Sequence, residues 1–473
     1  MAIKLDKLNS LVEWVNERTG AKSIWDHLMN EAIPGGTRWV YVLGSALLFS
    51  LTLQFFTGAL LLLYYVPAAE FAHVSVAYIQ KEVMAGSFIR GLHHYGTSII
   101  VILAVLHMLR TFFWGSYKNK RELVWLAGVT LFFIILGFGF TGYLLPWDQK
   151  AYFGTAVAIN LMSALPVIGE PMSKIALGGD GLSTLTLSRF FVIHVAVLPA
   201  ILVIFTAGHL FLLRRANHSG DFRETTTSEP FFPKQFFKDS AFAFLLFGLL
   251  SSISYFMPAP LEPEANPADA SYIPRPEWYF LFLFQLLKYF PGNLVLIPAV
   301  IIPGIVFTII FLLPFLDKNP ERNPFKRPIA CISALVLVCS VILITGLALR
   351  DDRKDPLVKT QLEKQVADGK AFLKTPFTPK TTGKAAETAA QASNAPPPAI
   401  YQAKCAACHG DKGQGQLGSK LINLSQKEKR TRDDIIKILE DPQSYGLAVT
   451  MPKFSDLSEK ERQELADWIV SLK

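Results

Sequence analysis

The chain has 473 residues, 51% of them hydrophobic and only 18% charged, with a mean hydropathy of +0.33. That balance excludes an ordinary soluble enzyme and makes the bilayer the expected solvent for most of the chain. The net charge of +8 does not point to nucleic acid, because Lys and Arg flank apolar stretches instead of lining one soluble face.

Residues 1–38 read as an amphipathic segment lying at the membrane surface, with Trp14 and Trp25 as headgroup anchors. They lack the short apolar core and small-residue cleavage site of a secretory signal, so insertion is expected to depend on the first span. Seven apolar stretches follow, at about 39–65, 91–114, 124–145, 189–213, 239–257, 297–316 and 328–349. Each is long enough to cross roughly 30 Å of hydrocarbon at about 1.5 Å per residue.

The first span carries Gly44 and Gly58 and the third Gly128 and Gly142, each pair 14 residues apart. The second carries His93 and His107, and the fourth His194 and His209. Buried imidazoles are costly in hydrocarbon without a purpose. Spacings of 14 and 15 residues approach four helical turns, so each helix shows both its histidines on roughly one face. Two such helices facing one another supply two axial pairs for six-coordinate hemes, stacked about 21 Å apart along the membrane normal. Glycines at matching levels would let a flat macrocycle approach the backbone. The alternatives are a hydrogen-bonded packing role for any one histidine and small-residue helix packing for the glycines; the shared interval favours hemes. Arg90, Arg110 and Arg189, three to five residues from the histidines, are candidates for pairing with propionates or for snorkelling to the interface.

Basic residues follow the second span (Lys118, Lys120, Arg121), the fourth (Arg214, Arg215, Arg223) and the sixth (Lys318, Arg322, Lys326, Arg327). By the positive-inside rule the N-terminus is cytoplasmic, and an odd number of spans puts the C-terminus outside. His93 is then expected to pair with His194 near the outer face, and His107 with His209 near the inner face. Between the fifth and sixth spans, Pro276-Glu277-Trp278-Tyr279 falls in an outer loop. At an apolar boundary Glu277 could hold a raised pKa and accept a proton, or it could be a solvated loop carboxylate.

After Arg350 the composition turns to Lys, Thr, Ala and Pro, and 351–397 read as a flexible tether. A small all-α domain is expected over 398–473. Cys405-Ala-Ala-Cys408-His409 is the attachment motif of a covalent heme c with His409 as proximal ligand; a redox disulfide or half a zinc site is the weaker alternative. Met451 would be the distal ligand, and such attachment belongs outside the cytoplasmic membrane, in agreement with the count of spans. Cys331 and Cys339 read as packing residues.

The motifs Arg90-Gly-Leu-His93, Gly142-Tyr-Leu-Leu-Pro-Trp-Asp-Gln149, Arg189-Phe-Phe-Val-Ile-His194 and Pro276-Glu-Trp-Tyr279 resemble cytochrome b of the Rieske/cytochrome b family, the quinol:cytochrome c or plastocyanin oxidoreductases. The resemblance covers about residues 10–350, with both halves in one chain, and the tail looks like a small class I cytochrome c. It implies an all-α integral membrane protein: a four-span di-heme unit (39–220), a three-span unit (221–350) and the tethered domain. It also implies two hemes b, bis-His ligated, and quinol oxidation at an outer site formed by Glu277, Tyr279 and Tyr143. One electron would go to a Rieske iron-sulfur partner and the other across the membrane to an inner quinone site, where Arg214 is a candidate contact. Proton translocation, a homodimeric complex in a bacterial cytoplasmic membrane and a periplasmic cytochrome as acceptor follow from the same likeness. The cysteine that tethers an extra heme in one branch is replaced by Val42, so no covalent third heme is expected in the membrane part. A membrane anchor of a dehydrogenase and a tethered electron relay without quinol chemistry are the competing functions.

Overall fold

A computed structural model describes residues 2–179, 181–223, 227–269, 271–380, 397–415, 420–421, 424, 430–442, 451, 453–454 and 456–472. The chain divides into two compact units, 1–378 and 379–473.

Seven helices of the first unit are long and apolar enough to cross a membrane: Trp39–Leu62, Gly86–Phe113, Glu122–Leu144, Thr184–Ala216, Lys234–Phe256, Ile297–Leu316 and Pro328–Lys354. The first packs on the second, the second on the third, and the third on the fourth, with the fifth against the first two and the sixth against the third. Among the described residues the only strands are Ala32–Pro34 and Ser228–Pro230, paired antiparallel. The protein is therefore an all-α, multi-pass membrane protein.

The loops gather into two faces. On the N-terminal face, Arg327 is buried and donates to Tyr117 and to the carbonyls of Phe112 and Phe113. Lys118 and Arg327 both pair with Asp317, at 2.8 and 3.2 Å. The three basic loops thus meet one another, with Arg121 donating to the carbonyls of Ala216 and Asn217 and Arg322 to that of Gly220.

On the far face, Asp148 ties the helix Gln149–Ser163 to the loop before the Pro-Glu-Trp-Tyr motif. Its Oδ1 caps that helix by accepting from the Ala151 amide at 2.9 Å, and its Oδ2 accepts from the Glu262 amide at 3.0 Å. The expected tether begins differently: residues 356–374 are helical, capped by Asp355, whose carboxylate accepts from the amides of Leu357 and Val358. This helix lies back on the far face. Gln365 bonds both amide and carbonyl of Ile273, Phe372 meets His73 at 5.1 Å, and Lys81 sits 4.0 Å above the Phe372 ring. Its lysine-rich composition masked a one-sided helix. Residues 381–396 of the expected tether lie outside the described residues.

The second unit is built on the helices Ala399–Lys404, Ala406–His409, Arg432–Glu440 and Glu459–Ser471. Thr431 and Ser458 open the last two with capping boxes. Tyr401, Leu439, Leu465, Trp468 and Ile469 form its core, with the Tyr401 and Trp468 rings 4.4 Å apart.

Candidate functional site

Within the bundle, His93 of the second span and His194 of the fourth face one another with ring centroids 6.4 Å apart and planes at 72°. At about 2 Å per metal–imidazole bond, two rings flanking one metal ion have centroids about 6 Å apart, so the pair fits a shared iron. The Thr57 hydroxyl donates to the Leu53 carbonyl at 2.8 Å and lies 3.0 Å from His93 Nδ1. Thr141 repeats the arrangement, donating to the Gly137 carbonyl at 2.8 Å and lying 2.9 Å from His194 Nδ1. Each hydroxyl proton is already committed to a backbone carbonyl, so each hydroxyl oxygen accepts from Nδ1–H. That tautomer leaves Nε2 as the lone-pair nitrogen a metal needs. Nothing in the sequence marked these two threonines beyond their places one residue before Gly58 and Gly142.

All four glycines back the four histidines. A Cβ on Gly58 would stand 3.1 Å from His93 Cε1, on Gly142 2.7 Å from His194 Cε1, on Gly128 3.2 Å from His209 Cε1 and on Gly44 3.5 Å from His107 Cε1. The bared backbone is met by the imidazole edge, so these glycines give the rings their room. The 15-residue interval on the fourth span has a local cause as well. Ile193–Val197 is a π-turn that absorbs one extra residue around His194, and Pro199 just beyond it lacks the donor an α-helix would use.

The arginines near the histidines contact other parts of the chain. Arg90 is buried and donates to Gln80 Oε1 and to the carbonyls of Ala259 and Pro260, which ties the second span to the loop after the fifth. Arg110 stacks on Tyr41 and Trp114, at 4.8 and 4.6 Å. The Arg189 guanidinium lies against Gly178, whose φ of +78° favours glycine. Arg214 reaches Glu31 at 3.8 Å.

The Pro-Glu-Trp-Tyr turn is wedged against the histidine-bearing bundle. Trp278 Nε1 donates to Ser98 Oγ of the second span at 3.1 Å. The Tyr279 hydroxyl lies against Gly139 of the third span, 2.7 Å from where a Cβ would be. Tyr143 packs on Gly154 in the same way, 2.8 Å from the corresponding position, and both tyrosines lie within electrostatic reach of Glu277. Glu277 itself pairs with Lys150, Oε1 to Nζ at 2.6 Å. Burial pushes the Glu277 carboxyl up, but the Lys150 ammonium pulls further, and the group rests below the ordinary glutamate range. The cation responsible lies 127 residues away in sequence.

In the second unit Cys405 is buried in the core on which Met451 also packs, and the His409 amide donates to the Cys405 carbonyl at 2.9 Å. Cysteine and methionine thus pack on one apolar core, surroundings that suit a heme c. The side chain of Cys408, and Thr450 and Pro452 beside Met451, lie outside the described residues.

Fold and site define a multi-pass membrane cytochrome with a fused cytochrome c domain. Residues 28–217 match the family described as Cytochrome b/b6/petB, 264–362 match Cytochrome b(C-terminal)/b6/petD, and 392–469 match Cytochrome C oxidase, cbb3-type, subunit III. Cytochrome b of Rickettsia prowazekii is 31% identical over 347 residues, which is 72% of this chain and 86% of that protein. The cytochrome b subunit of the menaquinol:cytochrome c reductase of Geobacillus thermodenitrificans is 41% identical over 222 residues, 45% of this chain and 99% of that subunit. A solved structure titled Hyperthermophilic respiratory Complex III aligns with a TM-score of 0.65 at 26% identity, covering 76% of this chain and 96% of that one. The chain belongs to the cytochrome b family: it is a cytochrome b of a bc-type quinol:cytochrome c reductase complex, and its domains imply heme b and heme c.

Proposed function

We propose that this chain is the quinol-oxidising core of its complex, with an outer site bounded by Glu277, Tyr279 and Tyr143. His93 and His194 would hold one heme b beside that site, and His107 and His209 a second towards the N-terminal, cytoplasmic face. His409 and Met451 would ligate a heme c attached at Cys405 and Cys408. When bound, these groups supply one-electron carriers. The protein's part is to fix the Nε2 tautomer through Thr57 and Thr141, to seat the rings on glycine, and to present a carboxylate to the quinol hydroxyl. A Rieske iron-sulfur partner takes the first electron, the inner quinone site near Arg214 receives electrons that cross the membrane, and protons are released outside. Menaquinol is the favoured substrate, because two relatives at 41% identity are named for it.

One observation carries this reading: the Pro-Glu-Trp-Tyr turn packs directly on the helices that present His93 and Gly142, through Trp278 to Ser98 and Tyr279 to Gly139. A quinol held at the turn would lie beside the outer histidine pair. The test is reduction of cytochrome c by a menaquinol analogue in the purified complex. Inhibitor-sensitive turnover that collapses in Glu277→Gln supports the assignment. Turnover insensitive to quinol-site inhibitors and to that substitution contradicts it.

A further inference from the structure

The Glu277–Lys150 pair is built into the far face. Lys150 is the second residue of the helix Gln149–Ser163, and the turn that aims it is held from several sides. Asp148 accepts from the Ala151 and Glu262 amides. Gln149 donates to Asp269 at 3.3 Å and accepts from the Asn266 amide at 3.0 Å. The Lys150 and Glu277 side chains are 30% and 17% exposed, so the lysine is the more open of the two. The other titratable groups around Glu277 are His94 from the second span, Tyr143 from the third and Tyr279 from the turn itself. Lys150 is the cation that the geometry sets in hydrogen-bonding contact with the carboxylate.

We propose that Lys150 is a positioning residue for quinol oxidation: it holds Glu277 ionised and turned towards the Gln149–Ser163 helix until substrate arrives, and releases it to take the quinol proton. This rests on the outer-site reading above. In the step, the quinol O–H bond breaks and its proton moves to a Glu277 oxygen, giving a neutral carboxylic acid; the quinol anion left behind would give up its electrons to two one-electron acceptors, the iron-sulfur partner and a heme b held by His93 and His194. Neutral Glu277 no longer attracts the ammonium, and Lys150, on its flexible four-carbon stem, swings to its exposed side. The lowered basicity of Glu277 in the pair agrees with a carboxylate kept charged and ready.

The test uses the intact complex carrying Lys150→Met, Lys150→Arg or Glu277→Gln, with the b-heme optical spectrum confirming assembly of each. Loss of the ammonium should move the acid limb of the pH–rate profile upward by about one pH unit, and Lys150→Arg should restore it. The infrared band of the protonated Glu277 carboxyl should likewise appear at higher pH in Lys150→Met, a signal that a purely structural role would not move. An unshifted acid limb together with an unshifted band overturns the proposal, provided Glu277→Gln has lost turnover. If Glu277→Gln turns over normally, the outer-site reading fails and the role of Lys150 fails with it.

Discussion

Thr141 accepts the Nδ1 proton of His194 at 2.9 Å while giving its own proton to the Gly137 carbonyl, and this double engagement decides which imidazole nitrogen is left for a metal. Thr57 does the same for His93. Outer-shell partners of this kind orient a ligand and raise its basicity. Thr57→Val and Thr141→Val are expected to weaken retention of the outer heme b by about tenfold each and to raise its midpoint potential. The serine variants, which keep the hydroxyl, should behave as wild type. Redox titration of the b-heme absorbance checks both.

The four glycines should respond in a graded way to one added methyl. Gly142→Ala puts a Cβ 2.7 Å from His194 Cε1, whereas Gly44→Ala puts one 3.5 Å from His107 Cε1. Overpacking costs about 1–3 kcal/mol where the neighbour cannot yield. Gly142→Ala should therefore displace the His194 ring and disturb the outer heme, and Gly44→Ala should leave the inner heme unchanged in its low-temperature spectrum.

Glu262 gives the far face a pH dependence. Burial, and then the Asp148 charge, push its carboxyl up to about 7 against an ordinary 4.5, with Tyr272 and Lys150 pulling the other way. Between those values the folded protein binds more protons than the unfolded chain, so this contribution to stability falls as pH rises from about 4.5 to about 7. Glu262→Gln should gain stability over wild type across that window, on the order of 2 kcal/mol at the plateau. Thermal unfolding in detergent at several pH values measures it; a difference independent of pH would contradict it.

On the opposite face, the Arg327 side chain is 1% exposed and joins Asp317, Tyr117 and two carbonyls of the second span's end. Arg327→Met removes one partner of a buried ion pair, a change that typically costs about 3–5 kcal/mol. Lys118 still reaches Asp317, so the loss should fall at the low end. It should show as a lower unfolding temperature with both b-heme spectra intact.

The spans were legible because hydropathy is a local property of sequence, and the histidine and glycine levels because a helix converts spacing directly into height. What depended on distant partners was not. Lys150 follows a recognisable motif, but its pairing with Glu277 is set by how two loops meet, and that pairing lowers the basicity of the carboxylate. The contacts of Arg90 with loop carbonyls and of Arg110 with Tyr41 and Trp114 likewise depend on elements that only the fold brings together. The helix over 356–374 read as a tether because its apolar positions are few; those few, such as Phe372, are the ones that dock.

On the proposed function, this single chain would carry two hemes b and one heme c. Pyridine hemochrome quantification of the purified complex, separating non-covalent from covalent heme per chain, tests it most directly. Two b hemes are expected for each c heme on this chain. One b heme or none would contradict the four-histidine assignment on which everything else is built.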